Sequence, residues 1–390
     1  MAEIEFGEEQ AMLQSSASDF LNKHSSYEKV RERLATESGH DAALWRELGA
    51  LGWLGVALPE QHGGAGLPVG ALVALAEPMG RYLFASPFLA TTLAGQLLLR
   101  AGNDAQQAAW LPKLASGEAV GTVALTEPTG SWELGAPELR AEKNGEGGYT
   151  LTGSKLLVLD AGVADIVIVS ACLGGQPALF AAERAALPAT VLRREQLIDE
   201  ARRAYRLDLD GLTLTAGARL DGGDAAAALE HVSHVGALLV AAEMVGGTEG
   251  VMGLTLDYLQ TREQFGRLIG SYQALKHPMV DILIAHEQAR SLLHHAATVF
   301  EGDAVQAEVA VRMAKAAAGD SFTEASDRAI QFHGGIGFTY ECHAQLYFRR
   351  AQWGQYSFGD AGHHRRRLEP LLLGDAAALD ALPVGGIPGG

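Results

Sequence analysis

Thr261-Arg262-Glu263-Gln264-Phe265-Gly266 closes an apolar helical pattern that begins near His231. Gln331-Phe332-His333-Gly334-Gly335-Ile336-Gly337 closes another. The pattern from His231 to Gln260 is long enough for about eight turns. The first closing stretch sets a fixed cation, an amide and an aromatic ring within five residues, and Gln273 follows shortly after. The second lets the backbone turn freely at its glycines, so a ligand can approach it closely. Arginine binds phosphate oxygens bidentately. Taken together the two stretches point to a large, phosphate-bearing, partly aromatic cofactor. Taken singly they describe a surface charge at a helix end and a glycine C-cap.

Outward from these stretches the chain divides by texture. Up to about residue 120 it reads as helices: Phe6 to Leu21, a helix ending at Leu44 to Gly49, Val69 to Met79, Ser86 to Leu99 and Ala105 to Leu114. A turn-rich loop, Leu58 to Gly66, interrupts them. From about 121 to 225 short apolar runs replace the helical period: Val123-Ala124-Leu125, Tyr149 to Thr152, Leu156 to Leu159, Ile166 to Val169, Ala178 to Phe180 and Leu207 to Leu214. Glycine-rich clusters such as Asn144 to Gly148 separate them, which predicts an antiparallel sandwich or barrel. No Gly-x-Gly-x-x-Gly follows a strand there, so a Rossmann unit is unsupported. Helical texture returns over 226–378, with Gln273 to Glu301, Ala304 to Phe332 and Glu341 to Tyr356 after the long helix. The expected fold is α+β: an N-terminal helical bundle, a middle β domain and a C-terminal helical bundle. Residues 379–390 have the composition of a flexible tail.

Composition narrows the classes. The 390 residues are 48% hydrophobic and carry a net charge of −17, with no basic run able to track a nucleic acid backbone. Two cysteines, Cys172 and Cys342, make neither a disulfide framework nor a metal cluster, and fit a reducing, cytoplasmic setting. The start of the chain does not read as a signal peptide. No uninterrupted apolar run reaches the roughly 18 residues of a membrane span. His363, His364 and Arg365 to Arg367 match no metal-ligand spacing and read as a solvated basic face.

Over nearly its whole length the chain resembles the flavin-dependent acyl-CoA dehydrogenase family. Trp45 to Gly55 with the Leu58-Pro59-Glu60 loop resembles its first domain, and Leu125-Thr126-Glu127-Pro128 the start of its β-domain motif. Thr261 to Lys276 and Gln331 to Glu341 resemble its third-domain motifs. Leu346 to Ala351 and Phe358 to Arg365 are most similar to the bacterial branch that includes sterol side-chain degrading enzymes. The resemblance implies an acyl-CoA substrate, FAD bound between subunits of a tetramer, and electrons passed on to an electron-transfer flavoprotein or similar acceptor. It implies that Arg262 neutralises the FAD pyrophosphate of a neighbouring subunit and that Phe265 packs on the adenine side. Gln264, Tyr272 and Gln273 would lie nearby, and Gln331, Gly334 and Gly335 would meet the adenosine. Leu125, Thr126 and Ser131 would lie against the isoalloxazine.

Three departures stand out. Thr126 to Trp132 is one residue short of the family's β-domain motif and lacks its aspartate. Lys155 is followed by Leu156-Leu157-Val158-Leu159-Asp160, without the family's flavin-side aromatic and hydroxyl. The family's base, a glutamate before a Gly-Thr pair, falls on Phe358, with Asp360 at the threonine. The chemistry needs a carboxylate to take the α-proton of a thioester. Some family members carry it on the long helix, where Glu243 shares a face with Gly246, Gly247 and Gly250. Glu243 is therefore one candidate base, set against an Arg-paired or solvent-facing role. Asp360 is the second, set against a turn residue. Two functions stay open. One is a complete dehydrogenase that forms the trans-2-enoyl-CoA; the other is a non-catalytic, cofactor-contributing subunit of an α2β2 assembly. A flavoprotein oxidase of the same fold is a weaker third.

Overall fold

The computed structural model describes residues 7–145 and 147–374. The tail expected over 379–390 lies outside them, as do the first six residues. Six helices open the chain: α1 (Glu8–His24), α2 (Tyr27–Leu34), α3 (Ala42–Ala50), α4 (Val73–Arg81), α5 (Phe88–Ala101) and α6 (Asp104–Ser116). Asn103 and Gln106 form a reciprocal capping box at the start of α6. Ten strands follow: β1 (Gly121–Ala124), β2 (Arg140–Lys143), β3 (Tyr149–Thr152), β4 (Ser154–Leu159), β5 (Ile166–Leu173), β6 (Gln176–Glu183), β7 (Leu192–Glu195), β8 (Ala204–Asp208), β9 (Leu212–Leu214) and β10 (Arg219–Leu220). The chain then returns to helix with α7 (Ala225–Thr261). A small hairpin of β11 (Glu263–Gln264) and β12 (Arg267–Leu268) leads to α8 (Gln273–Val299), α9 (Ala304–Phe332), α10 (Ala344–Tyr356) and α11 (Ala361–Leu373).

The β domain is two sheets. Seven strands pair in the order β10-β6-β5-β2-β3-β9 with β1 also on β5, and three pair as β4-β8-β7. Most pairs are antiparallel, but β5 runs parallel to both β1 and β2. Its first six residues are buried, apolar except for Ser170, which suits a strand covered on both faces. The β domain has its own core around Val167, Val169, Phe180 and Leu207.

The N- and C-terminal helices share one core. Its axis is α7, apolar nearly all round, with Asp224 capping its start through the N–H groups of Ala226 and Ala227. By length and composition α7 alone passes for a membrane span among the described residues, but 61% of its most apolar window is buried in the protein. It is the central helix of a bundle. Small residues bring α4 and α7 together: a Cβ on Gly80 would overlap the Glu243 carbonyl, and one on Gly246 the Glu77 carbonyl. The glycine face beside Glu243 is thus filled by neighbouring helices, Gly247 by Phe322 of α9 and Gly250 by Arg81 and Tyr347. No room for a ligand is left on the face that Glu243 shares with these glycines.

Candidate functional site

Three of the candidate side chains, Leu125, Thr126 and Ser131, sit where the β domain meets the helices. A cleft of about 400 Å³ opens there. One wall comes from the β1 end and the loop after it: Val123, Leu125, Thr126, Gly130, Ser131 and Trp132. Leu156, Leu157 and Leu159 of β4 continue this wall. The register of β4 on β8 shifts between Lys155 and Val158, and Leu157 takes φ 53°, so the bulge turns two leucines toward the space. The opposite wall is the end of α10 and the turn after it: Gln352, Trp353, Tyr356, Ser357 and Phe358.

The loop wall is anchored from behind. Lys155 is fully buried and its ammonium donates to Glu127 (2.7 Å), Ser170 (2.9 Å) and the Leu125 carbonyl (3.3 Å). Glu127 also accepts from the Glu138 and Leu139 N–H groups at 2.8 and 2.7 Å. Burial opposes its charge, but Lys155 and these two donors hold its carboxyl below the usual range. One carboxylate thus ties both ends of the shortened loop. Trp132 closes the cleft by donating its indole N–H to the Tyr356 carbonyl at 2.9 Å.

The α10 wall is anchored by charge. Trp353 carries the Arg202 guanidinium on its ring, 3.8 Å from the centroid. Arg202 pairs with Glu243 and lies 3.8 Å from Asp199, while Arg350 pairs with Asp199 and lies 3.5 Å from Glu243. Asp160 sits near this cluster, and burial pushes its carboxyl up to about 6. Beyond α10, the buried Lys315 ammonium donates to the carbonyls of Gly354 (3.0 Å) and Gly359 (2.8 Å), and burial pulls it down to about 7.

Among the described residues no Asp or Glu lines the cleft. Glu243 is buried inside the Arg202–Arg350 cluster, the Arg-paired arrangement weighed against a base, because two guanidinium groups already meet its Oε2. Asp360 caps α11 by accepting from the His363 N–H at 2.6 Å, a turn role. Leu125, Thr126 and Ser131 do face the cleft. The remaining cofactor candidates lie elsewhere, on an exposed edge. Arg262 starts the β11–β12 hairpin, and Phe265 at its tip is 92% exposed with φ 53°. Gln264, Gln273, Gln331, Gly334 and Gly335 are exposed too. Tyr258 links the two motifs by stacking on His333, ring centroids 4.4 Å apart. Tyr272 donates to the Gln264 carbonyl at 3.3 Å and lies under Arg267. So the structure divides the candidates into a cleft set and an edge set. Trp353, Tyr356, Leu197 and Ile198 escaped sequence reasoning. The two aromatics follow no motif, and the Leu197-Ile198 pair lies in a loop without periodicity.

A second cavity of about 410 Å³ shares Trp132, Leu134 and Phe358 with the cleft. It is polar, with His234, Arg312, His363, His364 and Arg367 facing Glu133, Asp224 and Glu230.

An apolar, aromatic-walled cleft thus lies between a β domain and a helical bundle, with a solvent-facing arginine hairpin apart from it. The family models "Acyl-CoA dehydrogenase, N-terminal domain" and "Acyl-CoA dehydrogenase, C-terminal domain" match residues 7–118 and 226–369. The acyl-CoA dehydrogenase IpdE2 of Mycolicibacterium smegmatis is 31% identical over 363 residues, covering 93% of this chain and 98% of that protein. A solved variant of the Tcur3481–Tcur3483 steroid ACAD is 32% identical, with TM-score 0.83 over 96% of this chain and 99% of that one. The ChsE4–ChsE5 complex from Mycobacterium tuberculosis is 29% identical, with TM-score 0.85 over 94% and 97%. The chain belongs to the acyl-CoA dehydrogenase family, a family of FAD-dependent oxidoreductases. Its relatives place it with the bacterial branch to which steroid-degrading members belong. The residues present fit that cofactor: the cleft is apolar and aromatic, with the Thr126 and Ser131 hydroxyls among few polar groups.

Proposed function

We propose that the chain is a subunit of a cytoplasmic acyl-CoA dehydrogenase that converts an acyl-CoA thioester to the trans-2-enoyl-CoA, with steroid-derived acyl groups as the substrate class. The cleft carries this reading. When bound, FAD supplies the two-electron acceptor for the hydride leaving the β-carbon. Leu125, Thr126 and Ser131 would hold the ring system, and Trp353, backed by Arg202, and Tyr356 would line the same cleft and exclude water. Arg262, exposed on the hairpin, would supply a fixed positive charge to the pyrophosphate of a cofactor in an adjacent subunit, with Gln264, Phe265, Tyr272 and Gln273 beside it. Gln331, Gly334 and Gly335 offer bare backbone to the adenosine end. The apolar side chains of Val280, Leu283 and Ile284 on α8, each more than two-fifths exposed, support a tetramer that covers them. Electrons then pass to an electron-transfer flavoprotein or a similar acceptor.

A second reading is favoured by one observation: the proton acceptor. The α-proton must go to a carboxylate, and none lines this cleft. In this reading Glu243 and Asp360 serve structure. A paralogous subunit carries the base in its own cleft, and this chain lends cofactor contacts such as Arg262 in an α2β2 assembly. Flavin content and anaerobic flavin bleaching by octanoyl-CoA separate the readings. A yellow chain that bleaches alone supports the autonomous enzyme. Bleaching that needs a paralogous subunit supports the heteromer. A folded chain that holds no flavin alone or in any assembly, and adds none to a partner, would sink both.

A further inference from the structure

We propose that Phe358 is a plug that closes this chain's own cleft to an acyl thioester, and so decides which subunit of the assembly receives substrate. This rests on the reading of the cleft as the flavin face.

The two cavities meet at Phe358, Trp132 and Leu134. One is apolar; the other is of mixed charge, with His363, Arg312 and Arg367 beside Glu133, Asp224 and Glu230. A CoA thioester has an apolar reacting end and an anionic nucleotide end. It needs an apolar space continuous with a polar, partly cationic one. Here both spaces exist, each about 400 Å³, and a ring stands between them. The ring rests directly on α7: a Cβ on Gly236 would overlap three of its carbons. No space for a ligand is left between α7 and residue 358.

The plug is also held in place. Phe358 has φ 56°, in the left-handed region that bulky residues rarely adopt. Such a conformation persists only where the surroundings impose it, and it clusters at functional positions. The surroundings here are specific. The buried Lys315 ammonium binds the carbonyls on both sides of the turn, at Gly354 and Gly359. Asp360 fixes the next turn as the cap of α11. On the far side the Trp132 indole is tied to the Tyr356 carbonyl. Chance core packing would not need a strained backbone, a buried lysine and a glycine on the facing helix at one place.

The test uses the full chain loaded with FAD and octanoyl-CoA as probe. Binding is read by calorimetry, which needs no flavin, and by perturbation of the flavin visible spectrum. The wild-type chain should bind the thioester weakly and leave the flavin spectrum unchanged. Phe358→Ala should bind at least ten-fold more tightly and perturb the spectrum, while FAD content stays the same. Trp132→Ala opens the same wall from the β side; it removes the tie to the Tyr356 carbonyl but leaves the Phe358 backbone and its Lys315 anchor in place, and should give a gain of the same sign if Phe358→Ala fails to fold. Wild-type chain that accepts the thioester against its own flavin would overturn the plug and leave the cleft assignment standing. Folded, FAD-loaded Phe358→Ala and Trp132→Ala with no gain would overturn it too. A chain that retains no FAD in any form would instead remove the reading on which it rests.

Discussion

Replacing Glu243 by Gln separates a proton acceptor from a structural carboxylate, because the two roles predict opposite losses. The cluster around it holds two guanidiniums, Arg202 and Arg350, and two carboxylates, Asp199 and Glu243. All four are at most 7% exposed, and their charges cancel. The amide keeps the volume but leaves one buried positive charge uncompensated. Breaking a buried pair by removing one partner costs about 3–5 kcal/mol. Asp199 still contacts both guanidiniums, so the low end, about 3 kcal/mol, is expected. The Trp353 indole lies on Arg202 and should report the change by its fluorescence. The assay is urea denaturation of wild type, Glu243→Gln, Arg202→Met and the double variant. Neutrality is restored in the double variant, so it should recover at least half of the single loss. A base would behave otherwise: bleaching of the assembled enzyme would slow by ~10²–10⁴ with stability kept. Glu243→Gln with a stability change under about 0.5 kcal/mol and a collapsed bleaching rate would refute the structural assignment.

Asp360→Asn should leave stability and any bleaching rate nearly unchanged, since asparagine caps helices as well as aspartate, whereas Asp360→Ala should cost about 1 kcal/mol in a urea melt. Arg262→Ala and Phe265→Ala should lower flavin retained per chain on gel filtration with little change in urea midpoint, because both side chains are exposed. For pH, burial pushes His364 down to about 3, with Lys315 and Arg312 adding to the effect. Its folded value lies below its unfolded value of about 6.5, so the unfolded chain takes the proton first and stability falls as pH drops from about 6.5 toward 3. The limit is roughly 4–5 kcal/mol, and urea midpoints at pH 7.5 and 5 should diverge more for wild type than for His364→Gln.

The long helices were legible because apolar, helix-favouring sequence continues through spans far longer than any strand, 37 residues in α7 and 29 in α9. The helices that were missed bury little. Val30 is the one buried residue of α2, and α11 buries only His364 and Leu368 beneath a run of arginines. Strands β2 and β7, Arg-Ala-Glu-Lys and Leu-Arg-Arg-Glu, are mostly exposed, so no apolar alternation marked them. Residues 207–214, read as one run, split at Leu209 to Gly211 into β8 and β9. In the candidate site the Arg262 and Gln331 motifs were visible as words in the sequence. The cleft's aromatic wall was not. It exists because α10 ends against a β-domain loop, and that juxtaposition is tertiary. Lys315 hides best of all. Within an alanine-rich helix it has the look of a surface lysine, and only the packed turn at Gly354 and Gly359 gives it its partners.

The four-charge cluster has a mechanical consequence. Asp199 and Arg202 belong to the β domain, whereas Glu243 and Arg350 belong to the helical bundle. Rotating one body against the other would pull opposite charges apart in a dry seam, at a cost far above that of sliding an apolar interface. The cleft therefore has no hinge at its back. Whatever widens it to admit a ring system moves at the front, where residues 128–137 hang between the two carboxylate-held ends of their loop. Widening of the cleft is thus expected in this loop and its Trp132–Tyr356 tie rather than in a motion of whole domains.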